Sequence, residues 1–121
     1  MANAKNVLGK PLKLCCANTG YTREGFCYVP TSDVGNHSVC AIMTEEFLLF
    51  SKAAGNDLLT PNYNYQFPGL KEGDKWCLCA GRWKQALAAG CAPKVVLEAT
   101  NAAALDVVNL EDLKEHSYQS E

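Results

Sequence analysis

The alternation of strand-like and helix-like segments is the feature that most restricts how this chain can fold. Three times, a short run of strand character leads directly into a segment of helical character. The predicted pairs are 38–43 with 44–54, 75–79 with 81–89, and 94–99 with 101–108. A repeated strand-to-helix order indicates helices that pack on one sheet. We therefore expect an α+β fold, a two-layer α/β sandwich with a small mixed sheet.

Local signals at the ends of the predicted helices support this assignment. Thr44 stands before two glutamates and is a favourable N-cap, because its hydroxyl can accept a hydrogen bond from an unpaired backbone N–H. The glutamates suit the positive end of a helix. Gly90 follows the segment 81–89, and glycine commonly ends a helix. Both helices thus have a predicted boundary.

Length and charge exclude several classes of protein. A chain of 121 residues fits one domain over 1–121, with flexible ends expected at 1–5 and 117–121. The net charge of -2 comes without a basic stripe, so nucleic acid is not an expected partner. No apolar run approaches the ~18 residues of a membrane helix, and the start lacks a secretory signal. We expect a cytoplasmic protein.

Cysteine is abundant, with seven residues in this length. They occupy positions 15, 16, 27, 40, 77, 79 and 91. The odd number, and the lack of an export signal, predict reduced thiols. In an extended strand Cys77 and Cys79 would point to the same face and should not bridge each other. Apolar residues on both faces of this strand favour a buried position, so we interpret Cys40, Cys77 and Cys79 first as core residues.

The alternative for these thiols is a metal or redox site. Cys40, Cys77 and Cys79 could supply three soft ligands to zinc or copper(I), with His37 or Cys27 as the fourth. A redox-active cysteine often stands at a helix N-terminus, and Cys79 is the cysteine best placed for that. The sequence predicts no role for the cysteines at 15, 16 and 91.

Two long polar segments, 17–37 and 55–74, interrupt the strand and helix pattern. Ordered loops of this length often form lids or binding loops. If the strands at 38–43 and 75–79 run parallel, both loops enter the sheet at the same edge and can form one pocket. The candidate polar groups for a small polar or anionic ligand are Asp33, His37, Asn56, Asp57, Asp74 and Arg82, with Tyr63 and Tyr65 as ring walls.

Some of these residues also have an ordinary structural explanation. Asp33 can cap a turn and leave His37 facing solvent, because aspartate in turns usually bonds its own backbone. Asn56 and Asp57 follow a predicted helix end, where both types are common. Arg82 lies in the first turn of its helix, which is unfavourable for a cation, so we expect a partner such as a carboxylate or an anionic ligand.

Long stretches of the chain resemble a known family. The stretches are "DVGNHSVCAIMTEEFLLFSKAAGNDLLTP", "FPGLKEGDKWCLCAGRW" and "CAPKVVLEAT". They resemble the bacterial and plant family called domain of unknown function 2237, over about Asn6 to His116. The resemblance implies a small single-domain α+β protein and carries no catalytic role to any residue. Relatives often have a histidine where this chain has Asn101, which weakens any site built on that position.

Three functional hypotheses follow. The first is a domain that binds a small polar or anionic ligand between the two loops. The second is a thiol protein that binds metal or changes redox state, and the third is a structural or interaction module. No resident cofactor is expected, and the sequence identifies neither a reaction nor an oligomeric state.

Overall fold

The computed structural model describes residues 4–16, 25–61 and 69–118. The strands in these ranges are β1 (Val39–Ile42), β2 (Lys75–Leu78) and β3 (Lys94–Val95). The α-helices are α1 (Glu45–Ala53), α2 (Ala80–Ala88) and α3 (Leu110–Glu115). Short 3-10 helices cover Leu97–Ala99 and Ala102–Asp106. The expected α+β class is confirmed.

The three strands form one antiparallel sheet in the order β2-β1-β3. The prediction of a mixed sheet therefore does not hold for these strands, and parallel pairing within the described ranges is found at an isolated bridge between Val95 and Ser117. β1 and β2 run antiparallel, so the parallel arrangement on which the predicted pocket depended is wrong. After α1 the chain returns to the end of β1 that it left, where the Met43 N–H donates to the Asp74 carbonyl at 2.7 Å.

The antiparallel register separates the two long loops. The segment that leads into β1 meets the sheet at Val39, which pairs with Leu78. The segment that leads into β2 meets it at Lys75, which pairs with Ile42 at the other end. The two loops thus enter the sheet at opposite ends, and the shared-edge argument for a pocket between them is lost.

The first predicted helix begins where the sequence places it, and the second unit differs by one residue. The Thr44 hydroxyl accepts from the Phe47 N–H at 3.1 Å, as expected of an N-cap. The second strand ends at Leu78, so Cys79 is the N-cap of α2 and not a strand residue. The expectation that Cys77 and Cys79 share one face of a strand is therefore wrong.

The third predicted unit is mostly 3-10 helix. Its strand ends after Val95, and the Val96 N–H still donates to the Cys40 carbonyl at 2.8 Å. Beyond that point the Thr100 hydroxyl accepts from the Cys40 N–H at 3.2 Å and donates to the Val96 carbonyl at 2.9 Å. A side chain thus satisfies the edge of β1 that a longer third strand would have paired.

The sheet divides the buried residues into two clusters. On one face Val39, Ala41 and Leu78 join the main core, which includes the fully buried side chains of Phe47 and Trp83. On the other face, alternate positions of β1 and β2 join a second, smaller cluster. That second cluster consists of Cys15, Cys27, Cys40, Cys77 and Ala99. None of the helices described for this chain is long and apolar enough to cross a membrane.

Candidate thiol site

Two cysteines face each other at the centre of the strand pair. Cys40 on β1 is the register partner of Cys77 on β2. The N–H and carbonyl of Cys40 bond to Thr100 and Val96, on the side of β3. Cys40 and Cys77 are therefore a non-hydrogen-bonded pair of the β1–β2 ladder, the kind in which opposite side chains lie closest.

Each of these cysteines forms a disulfide with a residue of the N-terminal segment. Cys15 bonds to Cys40, with a Cα–Cα distance of 5.7 Å, and Cys27 bonds to Cys77, with 5.3 Å. In this structure four of the seven cysteines are thus disulfide-bonded, contrary to the expectation of reduced thiols. Cys15 and Cys27 lie in irregular segments, where no periodicity could indicate the strand cysteine that each one meets.

The two disulfides lie against each other. The sulfur atoms of Cys15, Cys27 and Cys77 are all within 4.8 Å of one another, and Cys40 is bonded to the first of them. We call these four residues the four-sulfur cluster. All are buried, with Cys15 the most exposed at 5 %. The only other members of the surrounding core among the described residues are the apolar Ala99 and the partly buried Val96.

Free thiols accompany both disulfides. Cys16 is exposed and follows Cys15 directly, and Cys79 is partly buried and lies two positions after Cys77. The Cys79 thiol donates to the Gly35 carbonyl at 2.7 Å, which fixes it outside the four-sulfur cluster. Of the predicted metal set, the structure therefore brings together Cys40, Cys77 and the alternative fourth ligand Cys27, whereas the Cys79 thiol bonds to Gly35.

The third free cysteine, Cys91, is partly buried and packs against the main core, away from the four-sulfur cluster. Burial raises the pKa of the Cys91 thiol, and the Glu46 carboxylate raises that pKa further. A raised pKa lowers the thiolate fraction, and the thiolate is the reactive form. Cys91 is consequently the least suited of the three to exchange chemistry.

Asp33 and His37 form one turn next to Cys79. The buried Asp33 carboxylate accepts from the His37 N–H at 2.9 Å, and its other oxygen lies 2.7 Å from His37 Nδ1. Gly35 lies between the thiol and the imidazole, since a Cβ on this residue would fall 2.8 Å from His37 Cε1. The predicted pair is thus in contact, in the turn-capping arrangement.

Two asparagines that sequence reasoning did not select connect this turn to the four-sulfur cluster. Asn36 has a φ of 51° and donates from Nδ2 to the Ala103 carbonyl at 3.0 Å. Its Oδ1 is buried and has no hydrogen-bond partner within the described part of the chain. Asn101 donates from Nδ2 to the Cys27 carbonyl at 2.9 Å. Asn101 thereby holds the backbone of one cluster cysteine.

Two other predicted ligand groups, Asp57 and Asp74, bond the backbone of their own loops. Asp57 accepts from the N–H groups of Leu59 and Thr60 at 3.0 and 3.1 Å. The side-chain hydrogen bond from Thr60 is the main cause of a lowered Asp57 pKa. Asp74 accepts from the Lys71 N–H at 3.0 Å. The main-chain carbonyl of Asn56 accepts from the Ser51 hydroxyl at 2.7 Å. The two aspartate carboxylates are thus turn caps, and Asn56 takes part through its main chain, bonded by a side chain of α1.

Arg82 has a partner of a kind that we did not expect. Its Nη1 donates to the Ala54 carbonyl at 3.2 Å and to Gln85 Oε1 at 3.4 Å. Ala54 is the C-cap of α1, so the guanidinium lies at the negative end of that helix. The remaining predicted wall residues, Tyr63 and Tyr65, lie outside the described residues.

A cleft lies at a different place from the predicted ligand groups. It has a volume of about 540 Å³. Its lining consists of Leu8, Lys75, Val96, Leu97, Glu98, Ser117 and Tyr118. The predicted polar groups do not line this cleft. The four-sulfur cluster is therefore the stronger candidate site.

Fold and site together define a small α+β protein with two adjoining buried disulfides. Residues 5–117 match the family model described as "Uncharacterized protein conserved in bacteria (DUF2237)", and the chain belongs to this family. The match confirms the resemblance drawn from the sequence. No curated protein sequence matches the chain. The family description states no activity, so function has to be argued from the site.

Proposed function

We propose that this is a thiol-based redox protein whose four-sulfur cluster changes between two disulfides and four thiols. The observation that carries the proposal is the contact between the disulfides. Two bonds that merely fasten two loops have no need to meet, yet the Cys15, Cys27 and Cys77 sulfurs lie within 4.8 Å of one another. Sulfurs at this separation can exchange partners after small side-chain rotations.

The difference in burial between the cluster cysteines suggests where reduction begins. Exchange requires a thiolate to reach a disulfide sulfur and displace its partner. Cys15 is the most exposed cluster member, so the thiolate of an external dithiol attacks its sulfur and Cys40 leaves as a thiolate. The second thiol of the reductant then attacks the mixed disulfide at the reductant's own sulfur, which releases Cys15. Two electrons thereby pass from the dithiol to the Cys15–Cys40 bond.

The strand register offers a path to the second disulfide. The Cys40 thiolate freed in the first step lies opposite Cys77, at a non-hydrogen-bonded position of the ladder. Its attack on the Cys77 sulfur forms a Cys40–Cys77 bond and releases Cys27 as a thiolate. This exchange conserves electrons, and a second equivalent of dithiol then completes the reduction. One point of entry can thus serve both disulfides.

The proposal includes a cytoplasmic location. In a reducing compartment the four-thiol form would predominate, and the disulfides would form on oxidation. Alkylation of free thiols in intact cells before lysis tests this part, because it preserves the cellular redox state. We expect the cluster cysteines to be labelled in unstressed cells and protected after treatment with a peroxide.

Counting thiols on the purified full chain tests the redox cycle itself. Without reductant, the denatured protein should show three thiols, from Cys16, Cys79 and Cys91. With graded mixtures of reduced and oxidised dithiol, the native protein should reach all seven and return to three. Circular dichroism monitors the fold throughout. If the count stays at three until the spectrum of the native state disappears, the disulfides are structural staples and the proposal is wrong.

Variants of the flanking thiols refine the test. Cys16→Ser removes the exposed thiol beside Cys15, and Cys79→Ser removes the thiol that bonds to Gly35. If either thiol assists exchange, its variant should slow reduction without changing the equilibrium ratio of the two forms. Cys91→Ser is the matched control, since Cys91 lies in the other core cluster.

A further inference from the structure

We infer that the reduced four-sulfur cluster is a binding site for Zn²⁺, with the thiolates of Cys15, Cys27, Cys40 and Cys77 as its four ligands. The inference rests on the proposed function in one respect, namely that reduction must yield four thiols in a folded protein. It goes beyond that function because it assigns a bound metal ion to the reduced state.

The positions of the sulfurs suit a tetrahedral ion. Zinc–sulfur bonds of about 2.3 Å at tetrahedral angles place neighbouring sulfurs about 3.8 Å apart. Three of the sulfurs, from Cys15, Cys27 and Cys77, already lie within 4.8 Å of one another. Cys40 lies on the neighbouring strand, directly opposite Cys77. Once the disulfides open, rotation of the side chains can bring all four sulfurs to one centre while the backbone stays in place.

The backbone around the cluster is held from several directions. The Cys15 N–H donates to the Gly25 carbonyl at 2.8 Å, and Asn101 holds the Cys27 carbonyl at 2.9 Å. Cys40 and Cys77 are fixed by the sheet. These contacts do not depend on the disulfide bonds, so they can keep the four thiols close together after reduction.

The chemistry of the surroundings selects the metal. Four thiolates favour soft or borderline ions such as Zn²⁺ over Mg²⁺ or Ca²⁺, which prefer oxygen ligands. The other described members of this core are the apolar residues Ala99 and Val96, so sulfur is the only side-chain ligand atom in the described part of this core. Four protein ligands complete the tetrahedron and leave no position for water or substrate. Such closed coordination belongs to structural sites and not to catalytic ones.

The ligand set differs from the one that the sequence suggested. Cys79 donates its thiol to Gly35, and the Nδ1 atom of His37 lies against Asp33. Both side chains are thus held in the turn before β1, while Cys15 and Cys27 occupy the buried positions beside the strand pair. Cys27 thus takes the fourth position, for which the sequence had offered either His37 or Cys27, and Cys15 takes the place predicted for Cys79.

Oxidation would release the ion. A site of one Zn²⁺ and four thiolates reacts with two molecules of hydrogen peroxide and four protons. The products are the two disulfides, free Zn²⁺ and four molecules of water. Each pair of thiolates gives up two electrons as its disulfide forms, and each peroxide accepts two. The disulfide form described above is then the metal-free product of this reaction.

Metal titration of the fully reduced chain without oxygen tests the inference. We expect one Zn²⁺ per chain, protection of four of the seven thiols from alkylation, and, with Co²⁺ as a probe, the visible absorption of a tetrahedral thiolate site. X-ray absorption on the wild-type zinc form should give four sulfur neighbours at about 2.3 Å. Because it requires no substitution, this measurement decides the number and type of the ligand atoms even if a variant fails to fold, and the pattern of protected thiols shows which cysteines supply them.

Variants identify the ligands individually. Cys27→Ser should abolish the Co²⁺ thiolate spectrum or weaken zinc binding at least tenfold, whereas Cys16→Ser, Cys79→Ser and Cys91→Ser should retain both. A spectrum that depends on Cys79, or nitrogen or oxygen in the zinc coordination shell, would overturn the assignment. So would seven reactive thiols in the presence of zinc. If reduction is reversible in the native state and no zinc binds, this inference fails and the redox proposal stands. If the disulfides resist reduction until the protein unfolds, the redox proposal fails and the zinc inference fails with it.

Discussion

Cys40 lies directly opposite Cys77 in the antiparallel pair of β1 and β2, yet each forms its disulfide with a different partner. Cys40 bonds to Cys15 and Cys77 bonds to Cys27, so the N-terminal segment is fastened to both strands. This relationship places the two disulfides in contact, which fastening two loops does not by itself require. It also means that the stability of the fold and the redox state of the cluster are connected.

Loss of either disulfide should destabilise the oxidised protein by several kcal/mol. Cys15–Cys40 closes a loop of 25 residues, for which chain entropy gives about 3.5 kcal/mol. Cys27–Cys77 closes one of 50, for which it gives about 4 kcal/mol. Urea unfolding of the Cys27→Ala/Cys77→Ala double variant measures the second value. Cys91→Ala is the control for loss of a partly buried sulfur, and an equal loss of stability in that control would contradict the entropic explanation.

The pairing of Asp33 with His37 should stabilise the turn that contacts Cys79. Asp33→Asn retains the shape of the side chain and removes the charge that strengthens both hydrogen bonds to His37. Losing charge-assisted bonds of this kind costs about 1.5–3 kcal/mol. We expect a lower unfolding free energy and faster alkylation of the Cys79 thiol, because the Gly35 carbonyl that accepts from it becomes mobile. An unchanged alkylation rate would show that the turn does not hold the thiol.

Local signals predicted much of the fold. The Thr44 cap, the positions of the first two helices and the first two strands follow from residue types that act within a few positions of one another. The sequence also pointed correctly to burial of Cys40 and Cys77, since apolar neighbours on both faces of a strand indicate a covered strand.

The errors concern relationships between distant segments. Whether β1 and β2 run parallel depends on how residues 43–74 return to the sheet, and no local pattern specifies that path. Cys15 and Cys27 lie outside regular elements, so their partners 25 and 50 positions away had no periodic signal. The contact of Asn101 with Cys27 could not be predicted either, because it spans 74 positions. The candidate site is built almost entirely from such long-range contacts.

Gly35 should tolerate no side chain while His37 is present. A Cβ at this position would lie 2.8 Å from the imidazole Cε1, so Gly35→Ala must displace the ring from Asp33. We expect a loss of about 1–3 kcal/mol of unfolding free energy, typical of overpacking. In a His37→Ala background the same substitution should cost much less, and a double-mutant cycle measures that coupling.

Gly81→Ala is the matched control for this cycle. Gly81 lies in α2, and a Cβ there would be 4.0 Å from the Cys79 sulfur, an ordinary contact. Replacing a helical glycine by alanine should raise stability by up to about 1 kcal/mol. If Gly35→Ala and Gly81→Ala have the same effect, the close approach of His37 is not the cause.

The reactivity of Cys91 should depend on Glu46. Burial raises the pKa of the Cys91 thiol, and the Glu46 carboxylate adds to the effect, so the thiolate fraction at neutral pH is small. Alkylation of the partly buried Cys91 should therefore be slow at neutral pH, and its rate should keep increasing until the solution passes the raised pKa. Glu46→Gln removes the second cause and should shift the rate profile of Cys91 to lower pH.

Asp57 should give the protein a small stability increment that disappears in acid. Hydrogen bonds from Thr60, followed by that of Leu59, hold the pKa of Asp57 below its ordinary value of 3.8. A lowered pKa in the folded state stabilises the fold at any pH above 3.8, and the effect is lost as the pH falls through the lower, folded-state value. Melting temperatures of the wild type and Asp57→Asn should therefore differ at neutral pH and converge in acid. Thr60→Ala, which removes the largest cause of the shift, should reduce the difference at neutral pH, and a difference that persists unchanged into acid would exclude this carboxylate as its source.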